Sequence, residues 1–282
     1  MIHDDRICTL GEGALWHPTR RQFFWFDAMG QALMSTGRTW RFPENVSAAG
    51  WVSDDVLLIA GERDLFLFDL ETEEIEVLCD LEADQPGNRS NDGRADRQGG
   101  FWIGTMGKDP KTRQGKGAIY RYYKGELRLL FPKITIPNSI CFTLDGKHAF
   151  YSDNGTPYVM KVALDANGWP TGPSTVFVDH TADGFHPDGA VVDADGNFCC
   201  AEWGGSRVAV YSPEGKLLRT YPFPAPHTSC PALGGPDMAT LFCTSATQDM
   251  TPQALAANPD AGKTFSHPYD GRGLPEPRVL LT

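Results

Sequence analysis

Short runs of apolar and aromatic residues recur along the chain, separated by turns rich in Asp, Asn and Gly. Such runs, bounded by turn residues, predict β-strands and hairpins. The spacings between runs are 33 to 49 residues, and the six runs begin near Phe24, Leu57, Phe101, Phe150, Phe198 and Phe242. A period of roughly 40 to 50 residues with several strands per unit is typical of propeller blades. The sequence therefore predicts an all-β, six-bladed propeller with four-stranded antiparallel blades, with residues 1–282 as one domain.

The repeat unit has an internal order. An Asn or Asp stands at the head of a short strand, an Asp-x-Gly type of turn follows, and a second strand comes next, as in residues 91–104, 137–152 and 186–203. Later apolar runs, such as residues 65–69 and 207–211, predict a third strand. A double β-sandwich is the alternative architecture, but it does not demand so regular a repeat.

One segment, residues 251–258, departs from the strand pattern and predicts a short helix. Thr251 can cap its N-terminus, and Pro252 would occupy the first helical position.

The composition narrows the range of partners. A formal net charge of −11 argues against nucleic acid and anionic membranes, which need clustered Lys and Arg. It suits a divalent cation or a small ligand. The acidic N-terminus lacks a signal-peptide pattern, and no apolar run could span a membrane. Seven cysteines without metal-binding spacing fit a reducing compartment. We therefore expect a cytoplasmic protein that binds neither nucleic acid nor membranes.

Three oxygen-bearing residues occupy matching positions in different repeat units. Glu12 lies between two glycines, Asn138 follows Pro137, and Asp188 follows Pro187. In a propeller, the innermost strands line a central channel, so residues at their heads converge on the axis. One Glu, one Asn and one Asp with open positions would bind a hard divalent cation and leave room for water and substrate. The same spacing is consistent with three unrelated turn residues, since Asn and Asp are ordinary turn formers.

Four sequence strings, in order and at blade spacing, resemble the SMP-30/gluconolactonase/LRE family of six-bladed propellers. The resemblance extends over residues 8–245, and the strings are Leu-Gly-Glu-Gly-Ala-Leu-Trp from residue 10, Arg-Ser-Asn-Asp-Gly from residue 89 leading into Phe-Trp-Ile-Gly-Thr-Met, Pro-Asn-Ser from residue 137, and Pro-Asp-Gly from residue 187 with Trp-Gly-Gly from residue 203.

This resemblance implies roles for individual residues. Glu12, Asn138 and Asp188 would be the ligands of one divalent cation at the central channel, and calcium, zinc, manganese, magnesium and ferrous iron occur across the family. Arg89 and Asn91 would hold the substrate. Asp188, or a water that it orients, would start the reaction.

The loop at residues 108–116 departs from part of the family. Some animal members carry a Glu four residues before the Gly-Ala-hydrophobic-Tyr string, whereas this chain has Arg113 there. We expect Arg113 to contact the substrate if the loop closes over it, which would favour a different sugar acid lactone or one with an anionic substituent. A flexible, solvated loop is the alternative.

The expected activity is metal-dependent hydrolysis of a sugar lactone, such as glucono-, xylono-, arabinono- or galactonolactone, to the sugar acid. One rival is a propeller hydrolase of other esters, either phosphotriesters or non-sugar lactones. The other is a calcium-binding regulator without enzymatic activity. Arg89, Asn91 and the basic loop favour a polyhydroxylated substrate. The sequence leaves open the particular sugar, the metal and the oligomeric state.

Further side chains near the motifs have two possible roles each. His17 and His186 could be general bases or make structural hydrogen bonds. The pair Asp153-Asn154 could support the site through a hydrogen bond. Three tryptophans are expected in the cores of blades because they lie in apolar runs: Trp16, Trp102 and Trp203.

Overall fold

Each of the six predicted apolar runs is the second strand of a four-stranded antiparallel sheet in the computed structural model, which describes residues 1–282. The chain starts with β1 (Ile2–Asp4). Blade 1 contains β2 (Gly11–His17), β3 (Gln22–Asp27), β4 (Ala32–Ser35) and β5 (Arg38–Arg41). Blade 2 contains β6 (Ala48–Trp51), β7 (Val56–Ala60), β8 (Asp64–Asp69) and β9 (Ile75–Asp80). Blade 3 contains β10 (Asn88–Ala95), β11 (Phe101–Gly107), β12 (Gly117–Tyr123) and β13 (Glu126–Ile134).

The second half repeats this arrangement. Blade 4 contains β14 (Pro137–Phe142), β15 (His148–Asp153), β16 (Tyr158–Leu164) and β17 (Pro170–Asp179). Blade 5 contains β18 (His186–Val192), β19 (Phe198–Trp203), β20 (Arg207–Tyr211) and β21 (Leu217–Pro222). Blade 6 contains β22 (Thr228–Gly234), β23 (Thr240–Ser245) and β24 (Thr264–Pro268), with β1 as its outer strand. The propeller with four-stranded antiparallel blades is confirmed, and the sandwich is excluded.

The innermost strands close into a ring. β2, β6, β10, β14, β18 and β22 each contact the innermost strands of both neighbouring blades. Because each of them is the first strand of its blade and is followed by an antiparallel second strand, all six run in the same direction along the axis. Their heads therefore lie at one end of the channel and their tails at the other.

The apolar core lies between the blades. Six buried clusters of 9 to 13 residues each combine side chains from two adjacent blades, including the pair formed by blades 6 and 1. Trp16 and Trp102 belong to these clusters, as expected. The adjacent Cys199 and Cys200 point to opposite faces of β19 and enter different clusters. This packing fixes neighbouring blades relative to one another, and with them the heads of the innermost strands.

The predicted helix is α1 (Pro252–Ala257), with Thr251 accepting a capping hydrogen bond from the backbone N of Ala254 and Asn258 at its C-terminus. Neither this helix nor any other in the chain is long and apolar enough to cross a membrane.

Candidate functional site

A cavity of about 210 Å³ opens at the heads of the innermost strands. This volume is smaller than the roughly 300 to 1,000 Å³ of pockets for drug-sized ligands and suits a smaller ligand. All six side chains predicted for the site line this one cavity: Glu12, Arg89, Asn91, Arg113, Asn138 and Asp188. The structure therefore brings together residues that lie up to 176 positions apart in the sequence.

β-Bulges aim the three candidate metal ligands toward the axis. The antiparallel register shifts between Glu12 and Leu15, between Asn138 and Cys141, and again directly after Pro187, beside Asp188. A bulge adds a residue to one strand and turns its side chain out of the regular alternation. At the first bulge, Gly13 adopts φ +57, and a side chain there would meet the Ser47 carbonyl at 2.3 Å. Glycine is therefore required beside Glu12.

Hydrogen bonds between blades hold these strand heads in place. The Ser139 hydroxyl donates to the Asp188 carbonyl at 2.6 Å, and the Ser229 hydroxyl donates to the Gly11 carbonyl at 2.5 Å. Each bond joins the innermost strand of one blade to that of the next. The backbone positions of Glu12 and Asp188 are consequently fixed from a neighbouring blade as well as from their own.

Arg89, Asn91 and Asn138 form a chain of hydrogen bonds across the cavity wall. The Arg89 guanidinium donates to Asn91 Oδ1 at 2.9 Å, and Asn91 Nδ2 donates to Asn138 Oδ1 and to the Pro137 carbonyl, each at 2.9 Å. Both Nδ2 hydrogens of Asn91 are donated to protein acceptors. Its amide orientation is thereby fixed, and Asn138 Oδ1 keeps a second lone pair for a ligand.

The two carboxylates of the candidate metal set are buried close to further negative charge. Burial raises the pKa of Glu12 to about 8, and Asp92 adds to the rise against the opposing effects of the Gly13 amide and Arg89. Burial, Glu12 and Asp92 raise the pKa of Asp188 well above its ordinary value. For the Arg89 guanidinium, burial lowers the pKa to about 10.

These residues fit a divalent cation by their chemistry. Glu12 accepts a side-chain hydrogen bond only from the Gly13 amide, at 3.3 Å, and neither Glu12 nor Asp188 forms an ion pair with Lys or Arg. Two buried, unpaired carboxylates are costly unless a cation compensates them. No three His, Cys, Asp or Glu side chains are grouped to hold a metal by themselves. A third oxygen donor would be the side-chain amide of Asn138, which lines the same cavity.

The loop at residues 108–116 joins β11 to β12 and brings Arg113 to the cavity. The Arg113 backbone lies against Gly107, where an added Cβ would be 2.9 Å from the Arg113 Cα. At the start of the loop, Lys108 forms an ion pair with Glu62. Arg113 is the basic residue of this loop that lines the cavity, and its charge lowers the pKa of Arg89.

The expectation that Trp203 lies in a blade core is wrong. Its side chain lines the cavity and stacks on His227, with ring centroids 4.1 Å apart and an interplanar angle of 14°. Trp203 is the last residue of β19, where the strand leaves the blade core for the cavity rim. His186 also lines the cavity. His17 lies at the far end of β2, where its imidazole hydrogen-bonds the Ser53 carbonyl at 3.0 Å.

Gln248 and Asp249 are cavity residues that the sequence reasoning missed. They follow the second strand of blade 6, much as Asn154 follows the second strand of blade 4. Asn154 lines the cavity, but its Oδ1 has no hydrogen-bond partner, and the Asp153 carboxylate accepts from the Thr135 and Ile136 amides, so the suggested supporting hydrogen bond to the site is not found. The repeat itself could have indicated Gln248 and Asp249, because equivalent positions in different blades face the same end of the axis.

The fold and the cavity define a six-bladed propeller with a polar, axial ligand site. Residues 10–247 match the family model described as the SMP-30/Gluconolactonase/LRE-like region. A Rhizobium meliloti (strain 1021) protein assigned as a sugar lactone lactonase is 39% identical over 96% of this chain and 94% of its own length. L-arabinolactonase of Azospirillum brasilense is 33% identical over 91% of this chain and 87% of its own length. The chain belongs to the SMP-30/gluconolactonase/LRE family.

A solved structure extends this similarity to the fold. The crystal structure of regucalcin, a calcium-binding protein from Agrobacterium tumefaciens str. C58, has a TM-score of 0.95 at 39% identity, covering 99% of this chain and 97% of that one.

Proposed function

We propose that this protein hydrolyses a sugar lactone to the sugar acid with the help of one divalent cation. Its relatives identify the chain as a lactone-hydrolysing enzyme; the metal dependence and the choice of sugar are the proposal. The observation that carries it is the convergence of Glu12, Asn138 and Asp188 on one cavity that also presents Arg89 and Arg113.

Glu12, Asn138 and Asp188 would hold the cation through two carboxylates and one amide oxygen. This set of oxygen donors suits calcium or magnesium, and manganese, zinc and ferrous iron also accept such ligands. The similarity to a protein described as calcium-binding supports calcium. When bound, the cation would polarise the lactone carbonyl and lower the pKa of a nearby water.

Asp188 would orient the attacking water and accept its proton as the oxygen adds to the carbonyl carbon. The bond from that carbon to the ring oxygen then breaks, and the ring oxygen takes up a proton to become a hydroxyl. A carboxylate that ligates a cation has a depressed pKa and is a weaker base. Asp188 would therefore accept the proton of a water whose pKa the bound cation has already lowered, and it would also fix the position of that water.

Arg89 would bind oxygens of the substrate. Its Nη1 donates within the protein, to the Ser90 carbonyl and to Asn91 Oδ1, whereas its Nε and Nη2 donate no hydrogen bond to the protein. With Arg113 close by, the cavity presents two guanidinium groups to one ligand. Such donors suit the hydroxyl and carbonyl oxygens of an aldonolactone, including glucono-, xylono-, arabinono- and galactonolactone.

The decisive test uses metal-stripped protein reloaded with single divalent cations and assayed for acid release from these four lactones. We expect turnover only after reloading, and a loss of about 100-fold or more in kcat for Asp188→Asn. Asp165→Asn, in an exposed turn, is the matched control and should retain full activity. Full turnover by the metal-stripped protein would refute the metal dependence. Cation binding without turnover of any lactone would instead favour a calcium-binding regulator.

A further inference from the structure

Outside the candidate cation ligands, the cavity has one further carboxylate, that of Asp249. Asp249 and the adjacent Gln248 lie in the loop that follows β23 of blade 6. Arg89 and Arg113 come from blade 3, which lies opposite blade 6 in a ring of six blades. A guanidinium only donates hydrogen bonds, and a carboxylate only accepts them. The cavity therefore presents donors on one side and a further acceptor on the other.

The Asp249 carboxylate is almost unused within the protein. Its one protein hydrogen bond is long, 3.5 Å from Gln248 Nε2 to Asp249 Oδ2, and no Lys, Arg or His pairs with it. Next to it, Gln248 Oε1 is buried without a hydrogen-bond partner. A sugar lactone carries several hydroxyl groups that can donate hydrogen bonds, and neither Arg89 nor Arg113 can accept them. Asp249 supplies acceptor oxygens that lie outside the candidate cation set.

Neighbouring residues fix the backbone of Asp249 at the cavity. The Gln248 amide donates to the Thr9 carbonyl at 2.9 Å, and the Gln248 carbonyl lies 3.1 Å from Nδ1 of His227, whose ring stacks on Trp203. Asp249 itself has φ +62, a left-handed conformation that residues other than glycine rarely adopt. Such conformations persist where the surroundings impose them, and they cluster at ligand-binding sites. The backbone that carries this carboxylate is thus held in one place relative to the cavity.

We propose that Asp249 is a substrate-binding residue, which accepts hydrogen bonds from hydroxyl groups of the lactone and disfavours a lactone that carries an anionic group on that side of its ring. The inference rests on the proposed lactone hydrolysis and narrows its substrate to a neutral, polyhydroxylated lactone. A hydrogen bond from a hydroxyl to a carboxylate is short and roughly twice as strong as one between neutral groups. Like charges placed against each other in a binding site select against the wrong ligand.

The first experiment compares Asp249→Gly with the unmodified protein, each saturated with the divalent cation that supports turnover best. Glycine adopts a positive φ without steric cost, so the variant should fold with a Tm at least as high as that of the unmodified protein. We expect KM for glucono-δ-lactone to rise about tenfold while kcat is kept, because a hydrogen bond to a charged group is lost. For δ-valerolactone, which has the same ring without hydroxyl groups, KM should stay unchanged. Where its turnover is slow, its inhibition constant against gluconolactone replaces KM.

The second variant, Asp249→Asn, keeps the shape of the side chain and removes only its charge. The ratio of kcat/KM for a lactone with an anionic distal group to that for gluconolactone should rise several-fold. An unchanged ratio would overturn the selection against anionic lactones. Calcium affinity, measured by isothermal titration calorimetry, should be the same in both Asp249 variants as in the unmodified protein.

Glu73→Gly is the matched control, because Glu73 also has φ +62 and carries an exposed carboxylate, in the turn between β8 and β9, away from the cavity. It should leave KM for both lactones unchanged. Equal KM values for gluconolactone in Asp249→Gly and the unmodified protein would overturn the inference and leave the proposed lactone hydrolysis intact. An equal rise in KM for both lactones, or weaker calcium binding, would assign Asp249 a structural or cation-binding role and would overturn it too. If the unmodified protein turned over no lactone with any cation, the proposed function itself would fail, and this inference with it.

Discussion

The side-chain amide of Asn91, in blade 3, donates a 2.9 Å hydrogen bond to Oδ1 of Asn138, in blade 4. The sequence resemblance implies that Asn91 holds the substrate, but both of its amide hydrogens are used on Pro137 and Asn138, and its oxygen accepts from Arg89. In this geometry Asn91 would orient Asn138, a candidate ligand of the proposed cation.

We predict that Asn91→Ala weakens calcium binding by about 10- to 100-fold, because Asn138 loses the donor that fixes its amide. kcat/KM measured at subsaturating metal should fall in parallel, and excess metal should restore much of it. Calorimetry and kinetics on the same preparation check this. The control is Asn167→Ala, in an exposed turn. An effect on KM alone, with unchanged metal affinity, would show that Asn91 contacts substrate instead.

Much of the blade architecture is readable from the sequence because it is local. Apolar runs and Asp-Gly turns are properties of adjacent residues. The second strands of all six blades, the third strands of blades 2 and 5 and the α1 helix are therefore found where the pattern predicts them. The turn carboxylates of Asp96 and Asp193 each accept backbone hydrogen bonds within the next four residues. These interactions are local, so they can be predicted without the rest of the fold.

The remaining features depend on distant contacts. β1 pairs with β24, so that residues 2 and 265 meet, and no pattern within either segment indicates this. The ion pair between Arg94 and Glu276 likewise joins residues 182 positions apart. Trp203 was misplaced because its apolar run ends at the cavity rim, where the alternation that indicates a core no longer applies.

Arg113 should affect the choice of substrate. Replacing it with Glu reverses one charge at the cavity, beside Arg89. In a partly desolvated site, such a change contributes about 1 kcal/mol, roughly a factor of five to ten. We expect the ratio of kcat/KM for a lactone with an anionic distal group to that for a neutral aldonolactone to fall by this factor when both are measured at saturating metal. Equal ratios in both proteins at low salt would identify Arg113 as an ordinary loop residue.

The cysteines should be poorly reactive in the folded protein. Burial raises the pKa of Cys79 to about 11, and Cys79 is half-buried, whereas the other six are buried. Since the thiolate is the reactive form, labelling of Cys79 should increase about tenfold per pH unit from pH 8 to 10, without the plateau of an ordinary thiol. Iodoacetamide labelling with peptide mass spectrometry should find Cys79 modified first, and Cys79→Ser should remove this fast phase. Comparable labelling of Cys230 under native conditions would contradict the prediction.

The ion pair between Arg121 and Asp96 should contribute strongly to stability. Arg121 Nε donates to Asp96 Oδ2 at 2.5 Å, both side chains are fully buried, and the guanidinium stacks on Trp169 at 4.3 Å. Arg121→Met leaves the Asp96 carboxylate buried without its counter-charge, so the free energy of unfolding should fall by about 3 to 5 kcal/mol. Adding Asp96→Asn to this variant removes the unpaired charge and should recover part of the loss. Arg63→Met breaks an exposed ion pair with Glu44 and should destabilise the protein far less than Arg121→Met, because solvent screens exposed charges. Denaturant titrations of the three variants alongside the unmodified chain measure these differences. Equal losses for Arg121→Met and Arg63→Met would mean that the buried pair adds nothing beyond a surface one.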